Sequence, residues 1–252
     1  MKKIFDKHFK VIANNGGNPQ MYPVKESFQW ALENSVDMLS LYLYVTKDGI
    51  IIAAPMEKLQ EYSNLEGEVS DYTYDEIMKS VLNNDKMESP LDSFLTIDEI
   101  LRDYKVLPIN IQLIKFTIKD TKKICEIMKQ HDITDNIIVC AVESKVIKLL
   151  RRLLPDVATA CSLGEIMVIF ALFRSGLLGL KKTYKADCLQ IPEKIGTSYI
   201  ANSGLVRMVQ KRGLKVYVWG VNSEKVFKRV KNTTADGFFT NDYFMIKNLL
   251  KE

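Results

Sequence analysis

The sequence predicts a (β/α)8 barrel, in which eight parallel strands form a closed ring and helices cover its outside. Short β-branched segments alternate with amphipathic helical segments along the chain, as expected for a parallel sheet covered by helices. Eight strand segments occur, and nearly all are followed by a helix. The length of 252 residues suits one such barrel. No stretch rich in proline, glycine or serine marks a boundary, so residues 1–252 are expected to form one domain.

The strand segments are rich in β-branched and other apolar residues, and the helical segments repeat their apolar residues with a period near 3.6. The predicted strands cover residues 9–14, 38–44, 109–114, 136–142, 157–161, 188–191, 216–221 and 237–240. The predicted helices cover residues 25–34, 74–82, 96–103, 120–131, 144–154, 163–175, 203–212, 223–231 and 242–251. This alternation favours a closed barrel over an open sheet.

One region interrupts the alternation. After the second strand, Thr46-Lys47-Asp48-Gly49 is a strong turn signal, so residues 50–54 are expected to fold back beside that strand as a hairpin. Residues from about 56 to 94 are polar and irregular apart from one helical segment. We therefore predict a small excursion from the barrel over residues 56–94.

Composition narrows the class of function. The chain is 47% hydrophobic and 26% charged, which is ordinary for a globular protein with a substantial core. The net charge of +4 is small and includes no basic block, so nucleic acid is not an expected partner. The four cysteines are far apart in the sequence. We therefore expect them to be unpaired, small hydrophobic residues of the core, in a protein of a reducing compartment. Charged residues interrupt the first ten positions, where a signal peptide would be apolar, so a cytoplasmic location is expected.

The segment from residue 166 to residue 180 is unusually apolar, with Arg174 and Ser175 as its only clearly polar residues. A helix of this length spans about 22 Å, which is short of the hydrocarbon core of a bilayer. The first interpretation is a buried barrel helix. A helix that lies in a membrane interface is the alternative, so peripheral membrane contact through residues 166–180 stays open.

Ligand sites of such barrels lie at the carboxyl ends of the strands, so the residues there are candidate site residues. These ends offer amides, hydroxyls and aromatic rings. The candidates are Asn14, Asn15, Ser40, Tyr42, Gln112, Gln190, Trp219, Thr240 and Asn241. Proteins mostly bind divalent metals through carboxylates, imidazoles and thiolates, and no cluster of these appears at the strand ends. No metal site is predicted.

The titratable residues nearby have simpler interpretations. His8 precedes the first strand and should lie at the opposite end of the barrel, and His131 ends a helix. Neither has a partner that would make it a base or a ligand. The charged residues just beyond the strands are Lys115, Glu143, Glu193, Lys194 and Asp242. Solvated or capping roles are the first interpretation for these, and Asp242 is well placed to cap the last helix.

Several ordered segments, spread over nearly the whole chain, resemble the motifs of one known family. The turn at Thr46-Lys47-Asp48-Gly49 with residues 50–54 resembles the family's hairpin, and Asn110-Ile111-Gln112 resembles its Asn-Ile-Glu strand. The other similar segments are Thr159-Ala160-Cys161-Ser162, Gln190-Ile191-Pro192-Glu193, Val218-Trp219-Gly220-Val221-Asn222, Ala235-Asp236-Gly237 and Thr240-Asn241. Together these segments resemble the glycerophosphodiester phosphodiesterase family, and this resemblance implies a barrel fold. It also implies hydrolysis by a histidine pair, with carboxylates that hold a divalent cation.

The positions at which the family has its catalytic and metal-binding residues hold other residues in this chain. The residues at these positions are Asn14-Asn15-Gly16 for its His-Arg-Gly, Ser40-Leu41-Tyr42 for its Glu-x-Asp metal pair, and Pro55-Met56 for its His-Asp. They continue with Gln112 for its third-strand metal-binding Glu, Ile114 for the companion Lys, and Met21-Tyr22-Pro23 for its Pro-Glu-Asn loop. The resemblance thus implies the loss of both the acid–base pair and the cation ligands, and no cofactor is expected.

Three hypotheses about function follow, and the sequence leaves open whether the chain is an enzyme. The first is an inactive relative that binds a small polar or phosphate-containing ligand, or a partner, at the mouth, with Tyr42 in the space of the metal. The second is an enzyme, either a glycerophosphodiester phosphodiesterase of lipid and glycerol metabolism with an atypical site or an enzyme with different chemistry. It would use groups such as Lys115, Glu143, Glu193 or Lys194. The third is a scaffold at a membrane surface.

Overall fold

Eight parallel strands form a nearly closed ring in the computed structural model, which describes residues 2–5, 9–20, 25–55, 58–61, 63–80, 94–180 and 182–251. The strands are β1 (Lys10–Asn14), β2 (Met38–Val45), β3 (Ile51–Ala53), β4 (Ile109–Leu113), β5 (Ile137–Ala141), β6 (Ala158–Thr159), β7 (Cys188–Pro192), β8 (Lys194–Ile195), β9 (Ser198–Tyr199), β10 (Lys215–Trp219) and β11 (Gly237–Thr240). The helices are α1 (Lys25–Glu33), α2 (Tyr74–Met78), α3 (Ile97–Asp103), α4 (Ile118–Gln130), α5 (Ser144–Leu153), α6 (Leu163–Arg174), α7 (Ser203–Gln210), α8 (Glu224–Lys231) and α9 (Tyr243–Leu249). Short 3-10 helices cover Lys3–Phe5, Leu59–Glu61, Val69–Asp71 and Leu178–Leu180.

The ring runs in the order β6-β5-β4-β2-β1-β11-β10-β7. A parallel bridge between Ala160 and Cys188 joins its two ends, and the amide of Cys161 donates to the carbonyl of Cys188 at 2.9 Å. Strand β3 lies outside the ring and pairs antiparallel with β2. The predicted barrel and its hairpin are therefore confirmed.

Side chains alternate between the inside and the outside of the ring along each strand. On β2, Leu39, Leu41 and Leu43 belong to the large cluster that includes the surrounding helices. Met38 belongs to a separate cluster inside the barrel. Ile4 and Phe5 join this inner cluster from the N-terminal 3-10 helix. The inside of the barrel is thus filled at the end where the strands begin, which leaves the opposite end for a site.

The predicted excursion over residues 56–94 has a small apolar cluster of its own. Tyr44 and Ile52 of the hairpin pack with Val69, Ile77 and Phe94 from this region. The helix expected over residues 74–82 is observed as α2, Tyr74–Met78. Residues 56, 57, 62 and 81–93 lie outside the described residues. The excursion covers the hairpin and leaves the ring order unchanged.

Most helices of the barrel begin directly after a residue whose side chain caps the N-terminus of the helix. Thr96 and Thr117 each form a capping box with the residue three positions later. Because Thr117 caps α4, this helix begins at Ile118 rather than at residue 120 as predicted. The Asp242 side chain accepts a hydrogen bond from the amide of Met245 at 2.9 Å, as predicted for the cap of the last helix. The small hairpin β8–β9 was not predicted.

Helix α6 differs from the expectation of a buried helix over residues 166–180. Ile169 is its one fully buried large side chain, and Phe170 and Phe173 are half-buried against the core. Met167 and Leu180 are 61% and 75% exposed. Hydrophobicity alone predicted burial, but only one side of the helix reaches the barrel. No helix within the described ranges has the length and apolar character needed to cross a membrane.

Candidate functional site

A cavity of about 560 Å³ opens at the carboxyl ends of the barrel strands. Its size falls within the range of small-molecule sites, which is roughly 300–1,000 Å³. The polar side chains that line it are Asn14, Tyr42, Gln112, Gln190, Asn222 and Asn241. Apolar side chains such as Ile114, Val142, Leu163 and Ile166 form much of the remaining wall, and Trp219 lies at the rim. The cavity thus combines a polar part with an apolar rim.

Five of the eight residues predicted on family-equivalent positions line this cavity, namely Asn14, Tyr42, Gln112, Gln190 and Trp219. The other three are placed differently. Ser40 is fully buried, and its hydroxyl accepts a hydrogen bond from Asn110. Asn15 lies in the turn after β1 with a φ of 48°, and Pro55 follows the hairpin strand β3. A binding role for any of the eight residues stays a prediction.

A buried network of amides lies beneath the cavity. The Gln190 Nε2 donates to the Asn110 Oδ1 at 2.7 Å, and the Asn110 Nδ2 donates to the Ser40 Oγ at 3.2 Å. The Cys140 Sγ lies 3.4 Å from the Asn110 Oδ1 and 3.3 Å from the Gln190 Oε1, so its one S–H can donate to either oxygen. A satisfied buried network of this kind holds its members in one arrangement. Asn110 was not among the predicted site residues, although it shares the inward face of its strand with Gln112.

A second group of amides lies at the rim. The Asn14 Nδ2 donates to the Asn241 Oδ1 at 3.0 Å. The Asn222 Oδ1 accepts from the Asn241 amide at 2.8 Å, which ties the loop after β10 to the end of β11. The Asn14 Oδ1 is buried and accepts no hydrogen bond of good geometry from the described residues. This oxygen is therefore an acceptor that a ligand hydroxyl could use. Sequence reasoning missed Asn222, which follows the predicted strand.

Tyr42 faces the cavity from the centre of β2. Its hydroxyl interacts with the side chains of Asn14 and Gln112. Burial raises the pKa of Tyr42 above its ordinary value of 10.0, because desolvation disfavours the phenolate. The phenol is neutral at physiological pH, so it can donate or accept a hydrogen bond but cannot act as a base.

The chemistry of the lining does not suit a divalent cation. None of the residues that line the cavity carries a carboxylate, an imidazole or an ammonium group. Across the described ranges, no group of three or more His, Cys, Asp or Glu residues is arranged to hold a metal ion. Mg²⁺ and Ca²⁺ are held mainly by oxygen ligands that include carboxylates. Burial raises the pKa of the Cys140 thiol far above its ordinary range, so this thiol stays protonated.

The charged residues considered as alternative catalytic groups lie outside the cavity lining. The Lys115 Nζ lies 3.0 Å from both carboxylate oxygens of Glu68. Glu193 is buried and pairs with Arg229. Lys194 is exposed on β8, and Glu143 precedes α5 at its N-cap position. Two of these four groups are thus engaged in ion pairs with residues that do not line the cavity.

The described histidine, His131, does not line the cavity either. The His131 Nε2 lies 3.2 Å from the Asp98 Oδ1, at the end of α4. His8, Met56 and the segment Met21-Tyr22-Pro23 lie outside the described residues.

The fold and the cavity define a class of protein: a (β/α)8 barrel with an amide-lined mouth and an antiparallel hairpin after its second ring strand. The chain belongs to the glycerophosphoryl diester phosphodiesterase family, whose sequence model matches residues 25–244. The family predicted from the ordered sequence motifs is therefore confirmed.

Relatives of this family match the chain over most of their length. Lysophospholipase D GDPD1 of Rattus norvegicus is 22% identical over 95% of this chain and 85% of its own length. The protein YqiK of Bacillus subtilis is 26% identical over 92% of this chain and 94% of its own length. A phosphodiesterase of Oleispira antarctica, solved in complex with the product sn-glycerol-3-phosphate, matches with a TM-score of 0.76 at 17% identity. This match covers 96% of this chain and 97% of that one, and it shows a shared fold.

Proposed function

We propose that this barrel is a non-catalytic member of its family that binds a small polar, phosphate-containing ligand at its mouth. The observation that carries the proposal is the cavity of about 560 Å³, whose polar lining consists of amides and a phenol. Amide groups donate hydrogen bonds to phosphate oxygens and accept them from hydroxyls, but they cannot serve as bases at neutral pH. The lining therefore supports binding better than proton transfer.

The loss of chemistry implied by the family resemblance is large. General acid–base catalysis contributes roughly 10²–10⁴-fold to a rate. A bound cation adds several kcal/mol of transition-state stabilisation. In this proposal Asn14 and Pro55 stand where the family has histidines, and Tyr42 stands where it has a metal-binding aspartate. A mouth with these residues has neither the acid–base pair nor the bound cation that would supply these contributions to the rate.

Glycerol 3-phosphate is the simplest probe, because the Oleispira antarctica relative holds it as its product. In the proposed complex, amide donors such as Gln112 face the phosphate, and the unused Asn14 Oδ1 accepts from a glycerol hydroxyl. Trp219 is half-exposed at the rim and covers the glycerol or the group attached to it.

Glycerol 3-phosphate or a glycerophosphodiester is expected to raise the melting temperature of the purified protein. A ligand present at 100 times its Kd stabilises a protein by about 2.7 kcal/mol. For a chain of this size such a gain raises Tm by roughly 5–10 °C. Asn14→Asp should abolish the shift, because it places a negative charge where the ligand binds.

Asn248→Asp is the matched control, since this exposed residue lies on α9, away from the mouth. The control is expected to keep the full ligand-induced shift. Equal shifts in both variants would contradict binding at the mouth, and no shift of the native protein with any glycerophosphate or glycerophosphodiester would contradict the proposed function.

The alternative proposal is a glycerophosphodiester phosphodiesterase with an atypical site. Its support is the membership of a family whose relatives are named as phosphodiesterases. Such an enzyme would have to use groups outside the cavity lining, such as Lys115 or Glu143. Turnover measurements separate the two proposals.

A further inference from the structure

We infer that the outer face of α6 is a docking surface for an anionic membrane. The docking face consists of the exposed apolar side chains of Leu163, Met167, Val168, Leu177 and Leu180. These are five of the thirteen exposed large hydrophobic side chains among the described residues, and all five lie between residues 163 and 180. Such a concentration on one helix and the short turn after it is not expected for a face exposed only to water.

Three of these five residues lie on α6 itself, and Leu177 and Leu180 follow its end at Arg174. Leu163 and Met167 are one helical turn apart, and Val168 follows directly. Ile169 points in the opposite direction and is fully buried against the barrel. The helix therefore has an apolar inner side that packs on the core and an apolar outer side on which Leu163, Met167 and Val168 each expose about half of their surface.

The positive charge of the elements that flank α6 favours an anionic binding partner. Residues 144–212, which include α5, α6 and α7, contain 12 basic and 4 acidic residues, a net charge of +8. The chain as a whole carries only +4, so the remainder is acidic. Three of the four acidic residues in this sector are engaged in ion pairs, namely Glu165 with Arg151, Asp187 with Lys2 and Glu193 with Arg229. The sector thus presents a positive surface around an apolar helix.

The cations adjoin the docking face directly. A cleft of about 460 Å³ between α5 and α6 is lined by Lys148 and Lys185 together with Val168. On the other side, the Arg212 Nη2 donates to the carbonyl of Gly179, next to Leu180. Cations around an exposed apolar stripe are the pattern by which helices bind the interface of anionic bilayers.

An anionic bilayer fits this surface better than a second copy of the chain does. A symmetric dimer through the docking face would bring two sectors of the same positive charge together, which is unfavourable. Leu163 also lines the cavity at the barrel mouth, so docking would place the mouth beside the lipid surface. The inference does not depend on the proposed ligand of that mouth.

Co-sedimentation with vesicles tests the inference. The purified protein is expected to bind vesicles of phosphatidylcholine mixed equally with phosphatidylglycerol, and to be released by salt. Binding to pure phosphatidylcholine should be at least tenfold weaker. Met167→Glu and Lys148→Glu/Lys185→Glu should each weaken binding to the mixed vesicles at least tenfold. Val106→Glu is the matched control, because Val106 is 72% exposed and lies outside this sector, before β4.

Val106→Glu should leave vesicle binding unchanged, and circular dichroism should show that every variant is folded. Failure of the native protein to bind the mixed vesicles would overturn the inference. Equal losses for Met167→Glu and Val106→Glu would overturn it as well. Self-association in sedimentation velocity that Met167→Glu removes, without vesicle binding, would assign the face to a second copy instead.

Discussion

Three carboxylates introduced at and just beneath the barrel mouth are expected to create a cation site, so that bound cation stabilises the protein by several degrees. The substitutions are Ser40→Glu, Tyr42→Asp and Gln112→Glu. Tyr42 and Gln112 are register partners on adjacent strands, which lie about 4.8 Å apart. Ser40 is two residues earlier on the same face of β2, about 7 Å away. Carboxylates at these positions converge, and convergent oxygen ligands are what Ca²⁺ and Mg²⁺ require.

The same substitutions should destabilise the protein when no cation is present, because close carboxylates repel one another. A cation at 100 times its Kd then restores about 2.7 kcal/mol. The expected measurement is a rise in Tm of roughly 5–10 °C on addition of Ca²⁺ or Mg²⁺. The native chain should show no such rise, since its cavity lining contains no carboxylate.

The matched control is the double variant Ser40→Gln/Tyr42→Asn, which has the shape of the carboxylate variant but no added charge. It should not respond to either cation. If the triple variant fails to fold, the double variant Tyr42→Asp/Gln112→Glu offers a weaker version of the site with only two acids. A folded carboxylate variant whose Tm does not change on addition of Ca²⁺ or Mg²⁺ would contradict the inward, convergent placement of these residues.

Gly237→Ala is expected to cost about 3 kcal/mol of stability, the upper end of the usual range for an overpacked core. Gly237 is the register partner of Lys10 in β1 and of Tyr217 in β10, so it lies between two neighbours within the ring. A Cβ at this position would lie 2.3 Å from the carbonyl oxygen of Lys10 and 3.0 Å from the Tyr217 ring. The first contact is with backbone, which cannot move without separating β1 from β11. The expected fall in Tm is roughly 6–12 °C.

The control substitution is Gly179→Ala, where the nearest atom to the added Cβ is the Arg212 Nη2 at 3.9 Å. This variant should melt within about 2 °C of the native protein. Thermal unfolding followed by circular dichroism measures both. Similar melting temperatures for the two variants would show that β1 and β11 are not held as close together as the structure describes.

The barrel was predictable from the sequence because its signals are local and repeated. Each strand is a short apolar segment, and most helices begin at a side-chain cap such as Thr117 or Asp242. The hairpin β8–β9 escaped prediction because its strands have only two residues each. Two residues are too few for the alternation that identifies a strand.

The site was predictable in part. Tyr42 and Gln190 were predicted as candidate site residues because they lie near the carboxyl ends of their strands, and both line the cavity. Ser40 and Asn110 are buried, and their contacts depend on the register between β2 and β4, which no single segment reveals. The exposed side of α6 was only the alternative to a buried helix for a related reason, since a uniformly apolar helix has no periodicity to show which side faces the core.

The turnover of glycerophosphodiesters by the native protein tests the central proposal most directly. The purified protein would be incubated with a panel of glycerophosphodiesters in the presence of Mg²⁺ or Ca²⁺, and separately with a chelator. The released glycerol phosphate would be measured against a protein-free control. The proposed binding role predicts no release above that control under either condition. Metal-dependent release that follows the concentration of native protein would contradict the proposal and assign the family's chemistry to residues outside the described mouth.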